Sequence, residues 1–274
     1  MSSISGSEHL ERGARLGYGA RGLVYLIVGW LAFLAAFGRG GETTDTKGSL
    51  REILQQPAGE ALLAAVAVGL VGYSIWRFVQ AVRDADDHGR DAKGLVVRAG
   101  LAVSGIVHLS LAFFAVSLIF GWGSGSGGGS EDWTARVLAE QHGRWLVLLV
   151  GGAIVGAGVA QIWKGWFGTF RRLAADADIM RWLGPVCRFG LTARGVVFLI
   201  VAGLVIVAAL EFNAGKARGL DGALDALQRQ PFGLYLLAIV ALGLIAFGIY
   251  SIVEAVYRRI GTPEAADTRM GAQT

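Results

Sequence analysis

The chain has little cysteine, little proline and little charge. Its 274 residues include one cysteine and four prolines, and Asp, Glu, Lys and Arg make up only 17%. A lone thiol, Cys187, excludes an intramolecular disulfide framework and any site built from several thiolates. A soluble domain is about 25% charged. Here apolar side chains reach 54% and the mean hydropathy is +0.53. That much apolar surface cannot be enclosed in one water-soluble core of this size. A soluble enzyme and a disordered chain are both excluded. Glycine, by contrast, is abundant: its 42 residues are roughly twice the usual ~7% share. An apolar, Gly-rich and Pro-poor chain points to transmembrane helices packed closely on small residues.

A bilayer core of about 30 Å needs about 20 apolar residues in helix. Six stretches qualify: 17–37, 60–82, 97–121, 144–167, 188–211 and 233–257. They are continuously apolar rather than alternating, which argues against a β-barrel. Pro57, Pro185, Pro231 and Pro263 all fall outside them, where helices should begin or stop. Of the 25 Lys and Arg residues, 17 lie on the side of the N-terminus and 8 on the other. The positive-inside rule therefore places both termini in the cytoplasm. The net charge of +4 is a topology signal, and nucleic acid is not an expected partner. A signal peptide cleaved near Ala36-Phe37-Gly38 competes for the first span, but that span recurs later in the chain. Trp122, Trp133 and Trp145 on one side, with Trp163, Trp166 and Trp182 on the other, fit two aromatic belts.

The odd spans begin alike. RLGYGARGLVYL from Arg15, RAGLAVSGIVHL from Arg98 and RFGLTARGVVFL from Arg188 share the frame R-x-G-x-x-x-[RS]-G-x-V-[YHF]-L. The even spans also begin alike, at Gln56-Pro57-Ala58-Gly59, Glu140-Gln141-His142-Gly143 and Gln230-Pro231-Phe232-Gly233. Before each lies a short amphipathic stretch with Ile53, Val137 and Leu227 in register, expected to be an interfacial helix on the outer side. The chain therefore reads as three parallel repeats of helix, amphipathic turn and helix. The fold class is an all-α membrane protein of six transmembrane helices, expected to close as a pseudo-three-fold bundle. The divisions are an N-terminal tail (1–13), repeat 1 (14–83), an inner charged loop (84–96), repeat 2 (97–168), an inner loop (169–186), repeat 3 (187–259) and a C-terminal tail (260–274).

The R-x-G start, the Gln-Pro-x-Gly entry and the three copies resemble the domain-of-unknown-function family 1206. The resemblance runs from Arg15 to Arg259, and the second copy departs from it at Ser104 and Gln141. It implies a bacterial integral membrane protein in the cytoplasmic (inner) membrane, and it implies no reaction.

Several motifs lose their usual meaning in this setting. Gly17 to Gly22 is a literal G-x-G-x-x-G, but it opens a membrane helix rather than a βαβ unit. Gly152 and Gly156 form G-x-x-x-G, expected to be a helix contact inside the bundle. The loop Asp84 to Asp91 resembles a calcium loop, yet its fifth and twelfth positions are His88 and Leu95. It reads as a solvated loop neutralised by Arg83, Arg90 and Lys93, and no metal site is expected. The run from Gly123 to Ser130 has linker composition. His9 and His142 read as loop residues, and Cys187 as a bystander thiol.

The informative residues are polar ones inside the spans, because an ionisable group at mid-bilayer costs about 2.5–3.5 kcal/mol on insertion scales. Spacing of i and i+4 places Arg21 under Tyr25, Ser104 under His108 and Arg194 under Phe198. Spacing of i and i+3 pairs Arg77 with Gln80, Gln161 with Lys164 and Ser251 with Glu254. These are matched repeat positions at similar depth. Arg15, Arg98 and Arg188 recur in every copy and read as topology and lipid-headgroup residues. The positions that differ between copies are candidates for solute binding or an internal ion pair: Arg21, Tyr25, Arg77, Gln80, His108, Gln161, Lys164, Arg194 and Glu254. Glu254 should pair with Arg194, Lys164 or Arg21. His108 should hydrogen-bond Ser104 or pack.

The functional expectation is a membrane protein that binds or transports a small anionic solute. The alternative is a non-catalytic scaffold or accessory subunit of a membrane complex. No enzyme activity and no cofactor are expected, since His108, Glu254 and the Asp84–Asp91 loop do not assemble an acid–base set. Membrane lipids are expected partners. A protein partner or a homo-oligomer is left open.

Overall fold

The computed structural model describes residues 2–37, 45–122, 130–168, 173 and 177–258, and the side chains of 2–10, 130–133 and 177 are not among those described. The Gly/Ser run 123–129, Pro263 and the C-terminal tail lie outside the described residues, as do the side chains of His9 and Trp133. Six long helices carry the apolar stretches: α1 (Ser2–Ala36), α3 (Gly59–Arg83), α4 (Ala92–Ile119), α6 (Gly143–Phe167), α7 (Ala177–Leu210) and α9 (Gly233–Tyr257). Each is long and apolar enough to cross a membrane. A helix satisfies its own backbone groups, which a lipid interior cannot do. Three short helices, α2 (Thr46–Gln55), α5 (Ser130–Leu138) and α8 (Leu220–Gln228), precede the even spans as expected. Among the described residues there are helices and one isolated bridge, Leu173 to Arg258. This is a multi-pass membrane protein of three hairpin repeats.

One proline departs from expectation. Pro185 lies inside α7, which begins eight residues earlier, at Ala177. Its ring removes one backbone donor near the start of a helix that continues unbroken to Leu210.

The Gln-Pro-x-Gly entry is a tight turn between a short helix and the span that follows. Gly59, Gly143 and Gly233 donate to the carbonyls of Gln56, Glu140 and Gln230, at 2.8, 3.0 and 2.8 Å. Pro57 and Pro231 precede Ala58 and Phe232, both at positive φ (59° and 60°), the pattern of a type II turn. Gln141 in the second copy is followed by His142 at φ −113°, so that turn is type I and needs no proline. The glycine is required throughout. A Cβ at position 59, 143 or 233 would stand 2.2, 1.6 or 2.0 Å from a carbonyl oxygen of the preceding short helix.

The spans pack side by side in the order α4, α3, α1, α9, α7, α6. The three contacts between repeats are built alike. Gly22, Gly105 and Gly195 share one frame position, and a Cβ there would lie 2.8 Å from Ile252, 3.1 Å from Phe78 and 2.6 Å from Ile162. Those three partners are themselves matched positions. The contacts within repeats are not alike. A Cβ on Gly17 would stand 2.4 Å from Tyr73, and one on Gly190 would stand 2.3 Å from Phe247. The matching Gly100 has nothing within 4 Å. α4 and α6, the two spans of the middle repeat, are not a packed pair. The expected closed three-fold ring is thus an arc, open at its middle hairpin.

Side-chain volume explains the opening. In the closed hairpins a Cβ at Gly69 would lie 2.6 Å from that of Ala20, and one at Gly243 would lie 2.1 Å from that of Ala193. The middle copy carries Ala153 and Val103 at these positions, where its sisters have no room for a methyl. It also has Ala160 where they bury Trp76 and Tyr250. The second hairpin is too bulky at one level to close and too small at the next to fill. Gly152 and Gly156 likewise meet nothing within 4 Å, so their G-x-x-x-G is an outward face and not the internal contact expected.

Candidate functional site

α1, α3 and α9 bring a circuit of polar side chains together in the half of the bundle nearest the chain termini. Arg21 uses its whole fork. Nη2 meets Glu254 Oε2 at 2.6 Å, Nη1 donates to Tyr73 Oη at 2.5 Å, and Nε donates to Ser251 Oγ at 3.1 Å. Arg258 takes the other Glu254 oxygen and reaches Asp86 Oδ2 at 3.2 Å. Gln80 donates to Asp86 and accepts from Arg77 Nη1 at 3.1 Å, and Arg77 Nη2 returns to Tyr73 Oη. The path from Arg77 through Tyr73, Arg21, Glu254, Arg258, Asp86 and Gln80 back to Arg77 is closed. Arg21, Tyr73, Gln80 and Glu254 are buried. Tyr18, Tyr73 and Phe247 place ring faces 5.1–5.2 Å from the Arg21 guanidinium carbon. Of the three partners expected for Glu254, Arg21 is the one used, and Arg258, four residues on, is a second. A charge buried in lipid needs this degree of pairing.

The remaining candidates face the open side. Arg194 Nε donates to Tyr25 Oη at 3.0 Å, and its guanidinium carbon lies 4.4 Å from the Phe198 ring centre and 4.6 Å from that of Phe247. Lys164 Nζ donates to Tyr250 Oη at 2.8 Å and stays exposed, whereas its matched residues Gln80 and Glu254 are buried. His108 bonds through Nδ1 to the Ser104 carbonyl at 2.7 Å, not to its hydroxyl. A carbonyl only accepts, so the proton sits on Nδ1. The His108 ring lies 4.5 Å from that of Tyr73. Gln161 is half-buried, with no hydrogen-bond partner among the described residues.

The charges do not balance. Glu254 and Asp86 are committed to Arg21 and Arg258. Among the described residues, Arg77, Lys164 and Arg194 have no carboxylate within ion-pair distance. The Nε of Arg77 is buried without a hydrogen-bond partner. Three cations therefore share a low-dielectric region with phenol oxygens, an amide and aromatic faces as their neighbours.

The repeat-start arginines have a role that the sequence did not disclose. Arg15 Nη1 donates to the carbonyls of Ala255 and Val256, at 2.8 and 2.6 Å. Arg98 donates to those of Ala81 and Val82, at 2.7 and 2.9 Å. These acceptors are matched positions in the last turns of α9 and α3. Each arginine caps the neighbouring repeat's helix at its orphan carbonyls, where a positive charge suits the dipole. Arg188, the third member, is exposed and makes no such bond among the described residues.

Asp84 and Asp91 of the 84–91 loop are also in use. Asp84 accepts from the backbone N–H groups of His88 and Gly89, at 2.8 and 2.7 Å. Slight burial pushes its carboxyl up, and those two donors outweigh it, so the group sits below the usual Asp range. Asp91 caps α4 through the Gly94 N–H at 2.9 Å. Cys187 is buried among Leu191, Phe247 and Tyr250.

Three tandem hairpins of this kind define a class of repeat membrane protein, and the family profile described as Domain of Unknown Function (DUF1206) matches residues 16–84, 99–168 and 189–258. The chain belongs to the DUF1206 family. It is 35% identical over 257 residues, 92% of each chain, to the uncharacterized protein YxxB of Bacillus subtilis (strain 168). No solved structure matches it.

Proposed function

We propose that this protein binds a small anionic ligand at the basic cluster of its membrane domain, and transports it or presents it across the bilayer. The observation that carries this reading is the excess of cations. Arg77, Lys164 and Arg194 have no carboxylate among the described residues, in a setting where an uncompensated charge is costly. An anion held among them would supply the missing partner. Tyr25, Tyr73 and Tyr250 would add oxygens that orient it, and His108 presents a ring beside Tyr73. In this reading both termini lie in the cytoplasm and the chain is not an enzyme.

A scaffold role is the second reading. It is favoured by the closed circuit through Arg21 and Glu254, which already joins three spans without any ligand. Thermal unfolding of the purified protein separates the two. A ligand at 100 times its Kd stabilises by about 2.7 kcal/mol. Inorganic phosphate, acetate or decyl phosphate should raise the melting temperature of the wild type and leave Arg194→Gln/Lys164→Gln unmoved. No shift in the wild type with any of the three supports the scaffold.

A further inference from the structure

The open middle hairpin gives the basic cluster a side entrance. α4 and α6 end the arc and are the least buried spans, so the space between them faces the bilayer. One wall is the flank of α4 carrying Ser104, His108 and Leu111, all half-buried. The other is the flank of α6 carrying Ala157, Ala160 and Lys164, all exposed. Arg194 and Tyr25, half-buried, stand at the back. On the side of α1, α3 and α9 the cluster is closed toward the chain termini by Gln80 and Arg258, both buried.

We infer that the ligand is an anionic membrane lipid, which enters sideways between α4 and α6. Its phosphate would lie against Lys164 and Arg194, with Arg77 behind them, and its acyl chains would stay in the cleft. The inference rests on the anion-binding reading above and deepens it by naming the ligand class and its route. Charge complementarity selects the occupant: Lys164 and Arg194, cations with no carboxylate partner among the described residues, line an opening whose other side chains are the neutral Ser104, His108, Tyr25, Leu111, Ala157 and Ala160. Lipid chains are already in an apolar medium, so moving them into the cleft gains little. Selectivity should therefore follow the headgroup charge and not the chain.

The test is lipid retention by the full chain in a neutral detergent, read by native mass spectrometry. The probes are dioleoylphosphatidic acid, dioleoylphosphatidylglycerol, dioleoylphosphatidylcholine and inorganic phosphate. The expected result is at least tenfold tighter retention of the two anionic lipids than of phosphatidylcholine. Lys164→Gln and Arg194→Gln should each weaken that retention about tenfold. Ala160→Trp, which copies the matched Trp76 at an exposed site, should block the lipids yet keep any response to phosphate. If phosphate binds in a Lys164-dependent way and the lipids show no headgroup preference, the lipid assignment is overturned and the anion reading stands. If neither lipid nor phosphate binds, both fall. If Ala160→Trp instead splits a dimer and leaves lipid retention unchanged, the cleft holds a second copy of the chain and the assignment is overturned.

Discussion

Arg21 Nη2 lies 2.6 Å from Glu254 Oε2 across the contact of α1 with α9, and both side chains are buried. Glu254 serves two arginines, so its removal leaves both without their shared partner. Breaking a buried pair from one side costs about 3–5 kcal/mol. Glu254→Gln should lower the melting temperature sharply in detergent. Arg21→Met/Glu254→Met should recover part of the loss, because no charge is then stranded between those two positions. Equal losses in the single and double variants would show that the pair contributes nothing through charge.

The three repeat-start arginines offer a comparison at one chemical position. If Arg15, Arg98 and Arg188 all served lipid headgroups, their loss would have equal effects. The capping geometry gives a different order. Arg15→Gln and Arg98→Gln should each destabilise by about 1.5–3 kcal/mol, the range for a hydrogen bond to a charged group. Arg188→Gln should cost well under 1 kcal/mol, as expected of an exposed side chain. Parallel unfolding curves of the three variants decide between the two accounts.

The number of spans, their pairing into hairpins and the matched polar positions were all legible in composition and spacing. A bilayer-length apolar run and a repeated frame do not depend on tertiary detail. Which base Glu254 would choose was not legible, because three lay at a suitable depth and only the packing of α1 on α9 selects Arg21. Arg258 falls at the membrane edge by sequence position, and its spacing of four from Glu254 is a usable signal for the pair. The open hairpin was readable in principle. Ala153, Val103 and Ala160 differ from their sisters in volume, but which matched positions touch is known only once the helices are placed.

Asp84 makes a prediction about pH. Its carboxyl is held below the usual range, so the loop gains stability above the ordinary Asp pKa of about 3.9. That contribution is lost as pH falls through the lowered value. The backbone N–H signals of His88 and Gly89 should titrate with a midpoint below 3.9. Asp84→Asn should abolish the titration. A midpoint at or above the ordinary value would contradict the two-donor account.

The volume argument for the open hairpin can be tested in both directions. Gly243→Ala places a methyl where a Cβ would stand 2.1 Å from that of Ala193. Overpacking of this kind costs about 1–3 kcal/mol. Ala193→Gly in the same chain should return most of it, whereas Gly156→Ala, with nothing within 4 Å, should be neutral. The converse change is Ala153→Gly with Val103→Ala, which gives the middle copy the small residues of its sisters. Spin labels at Gly100→Cys and Ala157→Cys, in a Cys187→Ala background, report the spacing of α4 and α6. The Gly/Ala pair should shorten that distance by several ångströms if bulk at 153 and 103 holds the hairpin apart. An unchanged distance would assign the opening to the missing aromatic at Ala160. Ala160→Trp should then close it alone, and its effect on lipid retention would report on the same cleft.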